Sequence, residues 1–317
     1  MQYFIYEPFR LKSNETEAIF LDAIKKTIKK ANLAGFCYGV KRAVDLTLDI
    51  KDKNPETKVY IFGELIHNNQ VINQLTNLGI ITITNIDEIQ DGQNSICIIR
   101  THGATPQDIK RIKEKGCEIL DTTCLDVKKV QEKAKSLIQE GYKLIIIGKS
   151  DHPEVVGIKA HAEENTKEEA LVLATEQEAL ENIDKIKSAK KIGIVIQTTQ
   201  KTENLQKILP IVAEHAKELR VFNTICKTTS NRQTEAKNMA QEVDLMVVVG
   251  SKSSANTSHL SEILCEITNT ILVENEQELE QYSDMIKNAD KIGITAGAST
   301  PEDIINKVIN FIQLKGE

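Results

Sequence analysis

The sequence has no run of about 18 apolar residues, so no bilayer-spanning helix is expected and membrane insertion is excluded. It has no Lys/Arg block either. Forty basic against 46 acidic side chains leave a net charge of -6 and a pI near 5.7, which argues against a nucleic-acid partner. The opening stretch MQYFIYEPFRLKSNETEAIF lacks the charged start and apolar core of a secretory signal, and Glu7, Glu15 and Glu17 fit a transit peptide poorly. No G-x-G-x-x-G follows a strand-like run, so direct use of a nicotinamide nucleotide is not expected. No low-complexity linker interrupts the chain, and no further domain is expected after the last helical pattern. The placement that remains is a cytoplasmic enzyme, where six cysteines serve more readily as metal or redox ligands than as disulfides.

What the sequence does contain is a threefold repeat. Cys37, Cys124 and Cys226 each precede a helical pattern; behind each comes an apolar strand ending in glycine at Gly63, Gly148 or Gly250, then polar residues rich in His, Ser and Asn. A second apolar strand follows in every copy, ending in IIRTHGATPQDI, IVIQTTQKTENL or GITAGASTPEDI, with His102, Thr198 and Gly297 in register. A length of 317 residues suits three such units. The expected division is an N-terminal extension over 1–24, then α/β domains over 25–124, 125–221 and 222–317.

The runs KVYIFG, SICIIR, YKLIIIG, KIGIVIQ, DLMVVVG and KIGITAG are short, β-branched and continuous, as strands covered on both faces should be. They alternate with helical patterns, and Thr105-Pro106 and Thr300-Pro301 read as an N-cap followed by proline in the first turn. This predicts α/β units with parallel sheets. Ligands in such sheets lie beyond the carboxyl ends of the strands, where GELIHNN, GKSDHPEV, GSKSSANT, RTHGAT, QTTQ and AGAST fall. Residues 165–190 are charged and read as a surface excursion inside the middle copy.

Each of the three repeated cysteines sits at a strand-to-helix junction, where free N–H groups and the helix dipole favour a thiolate that binds soft metals. Cys97, Cys117 and Cys265 lack that context and are expected in packing roles. His67, His102 and His152 fall at strand ends, where imidazoles can join hydroxyls and amides around a diphosphate; Ser254, Asn256, Thr198, Thr199 and Ser299 can complete that set. Glu154, held beside His152 by Pro153, is a candidate proton donor. His161 and His215 read as surface residues, and His259 is left open. The thiols alone also permit a zinc hydrolase with an open water, or a pure electron carrier, although a carrier has no need of a diphosphate pocket.

The strings GFCYGVKRA, GELIHN, RTHG, DTTC, HPEV, QTT, NTIC with TTSNRQ, SSANT and ITAGASTP, spread over residues 28 to 313, resemble the 4-hydroxy-3-methylbut-2-enyl diphosphate reductases of the methylerythritol phosphate route to isoprenoids. The resemblance implies three similar α/β domains in a pseudo-threefold trefoil around a central iron-sulfur cluster. It implies a 4Fe-4S cluster on Cys37, Cys124 and Cys226, with one iron open to substrate. The diphosphate would be gripped by His67, His102, His152, Ser254, Asn256 and Ser299, with Thr198 near the allylic hydroxyl and Glu154 feeding protons. The products would be isopentenyl and dimethylallyl diphosphates, and the electron donor a ferredoxin or flavodoxin. Departures from the family's usual pattern are Leu125 after the second cysteine, Ala255 within the Ser-Ala-Asn triplet and Asp151 before His152.

Overall fold

The computed structural model of the chain describes residues 26–315; the expected extension over 1–24 lies outside them. After a first strand, β1 (Thr27–Lys30), the first unit runs α1 (Tyr38–Lys53), β2 (Lys58–Phe62), α2 (Asn69–Asn77), β3 (Ile80–Ile83), β4 (Ser95–Ile99), α3 (Pro106–Glu114) and β5 (Glu118–Asp121). The second runs α4 (Leu125–Gln139), β6 (Lys143–Ile147), α5 (Pro153–Ala162), β7 (Leu171–Leu173), α6 (Glu176–Glu181), α7 (Ile183–Lys187), β8 (Lys191–Ile196), α8 (Thr202–His215) and β9 (Glu218–Val221). The third runs α9 (Lys227–Ala240), β10 (Leu245–Val249), α10 (Ala255–Cys265), β11 (Asn269–Val273), α11 (Ser283–Asn288), β12 (Lys291–Ala296) and α12 (Glu302–Lys315).

These strands form three four-stranded sheets, ordered β3-β2-β4-β5, β7-β6-β8-β9 and β11-β10-β12-β1, and their pairings are parallel. The order explains the cysteine repeat. In the first two sheets the last edge strand, β5 or β9, leads directly to Cys124 or Cys226 and so into the next unit. In the third sheet that edge position is taken by β1, which leads to Cys37. The ring of three units is thereby closed by the first strand of the chain. The expected first domain, 25–124, accordingly begins with a strand that hydrogen-bonds into the third sheet.

The continuous apolar runs are strands covered by helices on both faces, as their composition predicts. In the second unit, Leu144 and Ile146 join Val130, Leu137 and Ile158 on one face, while Ile145 and Ile147 join Ile186, Ile208 and Val212 on the other. Successive side chains of one strand point to opposite faces, so a strand between two helix layers needs an apolar residue at every position. Residues 165–190 do not form an excursion: they supply edge strand β7 and helices α6 and α7, with Leu173, Ala179 and Ile186 buried in the core. The Lys and Glu residues there cover the outer face of a regular repeat element.

The two Thr-Pro helix starts diverge. Thr105 caps α3 in a capping box with Asp108, Pro106 following in the first turn. Thr300 instead donates its hydroxyl to the Val249 carbonyl at 3.0 Å, and α12 begins at Glu302.

Closure by β1 is testable at Ala31, which is 1% exposed and donates its N–H to Ile294 O at 2.8 Å. Ala31→Pro removes that donor and is expected to cost roughly 2 kcal/mol in a denaturant titration. Amide exchange along β12 should accelerate at the same time; unchanged exchange there would contradict the closure.

Candidate functional site

The three ring junctions are built alike. Cys37, Cys124 and Cys226 donate their backbone N–H groups to Ala298 O (3.1 Å), Thr101 O (3.0 Å) and Thr198 O (2.8 Å), respectively. Each acceptor stands two residues beyond the inner strand of the adjoining sheet, so each cysteine is pinned to the carboxyl end of a sheet as its helix begins. All three are N-caps, of α1, α4 and α9, and all three are free thiols lining one cavity. The Cys37 sulfur accepts the Val40 N–H at 3.4 Å. Gly39 lets α1 approach the second junction, since a Cβ there would stand 2.8 Å from the Cys124 sulfur.

The same bonds correct the register of the repeat. The ladders pair Phe62 with Ile99, Ile147 with Ile196 and Val249 with Ala296, which makes Thr101, Thr198 and Ala298 equivalent. The expected set of His102, Thr198 and Gly297 is one residue out in the first and third copies. An overlay of polar residue types does not sense the backbone ladder that sets the true register. The expected effect of the helix starts on the thiols is also modified. Burial pushes the Cys124 and Cys226 thiols above their ordinary range, and the helix N–H groups of residues such as Val127 and Thr229 pull the other way without overcoming it.

Around the same cavity stand His67, His102, Glu154, Thr198, Thr199, Ser254, Asn256 and Ser299, so residues from all three units meet as the sequence predicts. His152 is adjacent rather than lining, with its ring edge-on to His102 at 5.3 Å between centroids. His102 in turn lies 4.9 Å from His67, and one nitrogen of each imidazole lies within 4.8 Å of the others. Glu64 orients the His67 ring through Nδ1 at 2.9 Å, and Ser299 ties the third unit to the first by donating to His67 O at 3.1 Å. Ser254 caps the backbone of α10 but makes no capping bond with its hydroxyl, and Asn256 lies in the first turn of that helix. The helix start, with its free N–H groups, suits an anion.

The charge state of the trio follows from its surroundings. Burial, then the neighbouring imidazoles and Arg100, holds His102 well below the ordinary histidine range. Burial, then His67 and Arg100, pushes His152 down to about 4. His152 Nδ1 accepts the Glu154 N–H at 3.1 Å, so its neutral ring carries the proton on Nε2 and offers a donor. A metal ligand would need a lone pair there. His152 therefore presents a hydrogen-bond donor, which suits an anion.

Glu154 lies at the second position of α5, only 1% exposed. Its carboxylate accepts the Thr198 N–H at 2.6 Å and the Thr198 hydroxyl at 2.8 Å. Burial pushes its pKa up to about 7 despite both hydrogen bonds. A buried carboxyl that exchanges its proton near neutrality, bonded to a hydroxyl on the cavity wall, has the chemistry a proton donor needs.

Several side chains fall elsewhere than expected. Cys97 and Cys117 are buried in the core of the first unit as expected, but Cys265 is exposed at the end of α10 and does not pack. His161 is half-buried and its Nε2 meets Ala104 O at 3.1 Å, so it bridges two units and is not a surface residue. His215 is half-buried at the end of α8, and His259 is paired with Glu262 at 3.5 Å. Arg100, the first residue of RTHG, also lies at this site. Its guanidinium lies across Gly63, where a Cβ would stand 2.2 Å from Nη1, and its Nε is buried without a partner. A half-buried cation beside the His102 and His152 rings was readable in sequence only as an arginine two residues before a candidate histidine.

Three parallel-sheet units whose junctions bring three free thiols to one polar cavity define a trefoil α/β class of protein. The chain belongs to the LytB protein family, whose model matches residues 28–313. Relatives named 4-hydroxy-3-methylbut-2-enyl diphosphate reductase include one from Geobacter metallireducens, 39% identical over 89% of this chain and 95% of its own length. Another, from Campylobacter hominis, is 40% identical over 90% of this chain and 98% of its own. A third, from Clostridium tetani, is 42% identical, but the match covers 42% of that longer protein. Among solved structures, a (E)-4-hydroxy-3-methyl-but-2-enyl diphosphate reductase, described as the terminal enzyme of the non-mevalonate pathway, is 38% identical with a TM-score of 0.72, covering 91% of this chain and 99% of its own. The Plasmodium falciparum E-1-hydroxy-2-methyl-but-2-enyl-4-diphosphate reductase is 29% identical with a TM-score of 0.78, covering 90% and 87%.

Because burial holds the His102 and His152 pKa values down, an anion that raises them draws protons in as it binds. Calorimetry of inorganic diphosphate at pH 7 in two buffers of different ionisation enthalpy should show uptake of about one proton. The affinity should fall as pH rises, and His152→Gln should reduce the uptake. Equal uptake in that variant would remove His152 from the anion site.

Proposed function

We propose that the chain removes the allylic hydroxyl of 4-hydroxy-3-methylbut-2-enyl diphosphate, consuming two electrons and two protons and releasing water with isopentenyl or dimethylallyl diphosphate. The observation that carries this reading is the buried Glu154–Thr198 pair opening on the same cavity as the three thiols and the anion donors. Membership of the reductase family sets the substrate.

The donor set fits an iron-sulfur cluster. Three free thiols, one from each junction, line the cavity. Each stands at the start of a helix in a different unit, and no other cysteine among the described residues lines that cavity. Cys37, Cys124 and Cys226 would hold a 4Fe-4S cluster that supplies Lewis acidity toward the substrate hydroxyl and relays single electrons, with one iron free of protein ligands.

The chain's own residues then have separable tasks. His67, His102, His152, Ser254, Asn256 and Ser299 take the diphosphate, and the fixed charge of Arg100 offsets the neutrality of His102 and His152. Anchoring the diphosphate away from the reacting carbon lets its binding energy position the hydroxyl. Glu154 in its protonated form donates to the Thr198 oxygen, and the Thr198 hydroxyl turns toward the substrate hydroxyl to pass a proton that leaves in water. His152 holds the Glu154 backbone through Nδ1 and so orients the relay. No described helix is long and apolar enough to cross a membrane, and we place the reaction in the cytoplasm on the chemistry of its substrate and reduced thiols.

Substrate-dependent oxidation of reduced methyl viologen by the anaerobically reconstituted protein tests the reaction. Glu154→Gln should lower turnover at least about a hundredfold with iron content and diphosphate affinity unchanged. The wild-type rate should decline above about pH 7 as the carboxyl loses its proton. Near-normal turnover in the variant would take Glu154 out of the proton path.

A further inference from the structure

The three cysteine junctions follow one pattern, and a buried cation breaks it at one of them. Two residues before Cys124 and Cys226, Thr122 and Thr224 donate their hydroxyls to Ile99 O and Ile196 O, the last carbonyls of β4 and β8. The equivalent residue before Cys37 is Gly35, which has no hydroxyl and a φ of +97°, a conformation that side chains disfavour. The equivalent carbonyl, Ala296 O at the end of β12, is taken by Arg232 Nη1 at 2.6 Å. Nη2 of the same guanidinium donates to Gly35 O at 2.8 Å. Arg232 is the sixth residue after Cys226; the sixth after Cys37 and Cys124 are Ala43 and Val130, both buried in apolar clusters. One arginine thus stands in an apolar position of the repeat and makes the bond that threonine makes at the other two junctions.

Replacing a threonine hydroxyl needs no charge. Arg232 is 5% exposed, its Nε is buried without a partner, and both terminal nitrogens are spent on carbonyls. Glu235, the only carboxylate of α9, is itself taken up by the N–H groups of Asn32 and Leu33 at 2.8 and 2.9 Å. Burial pulls the guanidinium below the ordinary arginine range, and Cys37, Glu235 and Cys226 act against that pull. A buried cation with no paired carboxylate is costly unless another anion compensates it. Metal-bound thiolates at Cys37 and Cys226 are such anions.

On the iron-sulfur reading above, we infer that Arg232 is a positioning residue that also sets the electron affinity of the thiol-held centre. It ties α9, which begins at Cys226, to the backbone entering Cys37, and it fixes one positive charge on that side of the ring. Three thiolates leave such a centre anionic, and an added electron makes it more so. A cation held nearby in low-dielectric surroundings therefore favours the reduced state. A threonine in its place would hold the backbone and supply no such bias.

The test compares wild type, Arg232→Gln and Arg232→Lys, each reconstituted anaerobically with iron and sulfide, by redox titration without substrate, read by electron paramagnetic resonance. Arg232→Gln keeps a donor and loses the charge. At a fixed potential its oxidised-to-reduced ratio should rise about tenfold, a fall in midpoint of about 59 mV for one electron. Arg232→Lys keeps the charge, and its ratio should stay within about twofold of wild type. A fully loaded Arg232→Gln protein with an unchanged midpoint, or an Arg232→Lys protein shifted as far as Arg232→Gln, would overturn the assignment. Iron uptake by the lysine variant alone would uphold it, since the charge would then be needed for assembly; uptake by neither would leave Arg232 a packing role only and overturn it. Wild-type protein that takes up no iron would overturn the thiol-held centre itself, a failure visible before any variant is compared.

Discussion

The backbone hydrogen bond from each junction cysteine to the sheet it has just left is the constraint on which the remainder of the structure depends. It is made three times, to Thr101, Thr198 and Ala298, and each time it ends one sheet, starts the next helix and fixes one thiol. Since every acceptor lies two residues past an inner strand, the three sulfurs inherit the symmetry of the sheets. The polar loops that follow the same strands inherit it too, which is why residues distant in sequence share a cavity. Closing the ring with β1 completes the third junction; without that strand Cys37 would have no ladder to follow to Ala298.

Within that frame the cavity separates charge by burial. A carboxyl and two imidazoles are both driven toward their neutral forms, Glu154 by a raised pKa and His102 and His152 by lowered ones. Opposite shifts in a neighbouring acid and neighbouring bases are what the proposed roles require: a carboxyl that retains a proton to give, and imidazoles that an anion can charge. Arg100, half-buried with an unpartnered Nε, keeps a positive charge close to His102 and His152, whose own charge burial suppresses.

Much of this was legible in the sequence, for identifiable reasons. The three cysteines stood out because the repeat placed them at equivalent junctions, and the strands stood out because a sheet covered on both faces needs uninterrupted apolar residues. The site residues were readable because strand ends carry ligands in parallel sheets, and the family resemblance sharpened them. What escaped was relational. The four-residue strand β1 offers a short exposed/half-buried pattern and pairs some 260 residues away, beyond the reach of any local signal. The region from 165 to 190 looked like an excursion because edge strand β7 has only three residues between charged flanks. His161 looked exposed because its partner, the Ala104 carbonyl, belongs to another unit. The rise of the Cys124 and Cys226 thiol pKa values follows from depth of burial, which a helix start in sequence does not reveal.

The central claim is that three thiols, and no fourth protein ligand, hold a metal centre against the diphosphate cavity. Mössbauer spectroscopy of protein reconstituted anaerobically with isotopically enriched iron tests it most directly. The account predicts iron in two environments in a ratio of three to one, with only the minor component shifting when the diphosphate substrate is added. Four equivalent irons, or a spectrum indifferent to the substrate, would contradict it.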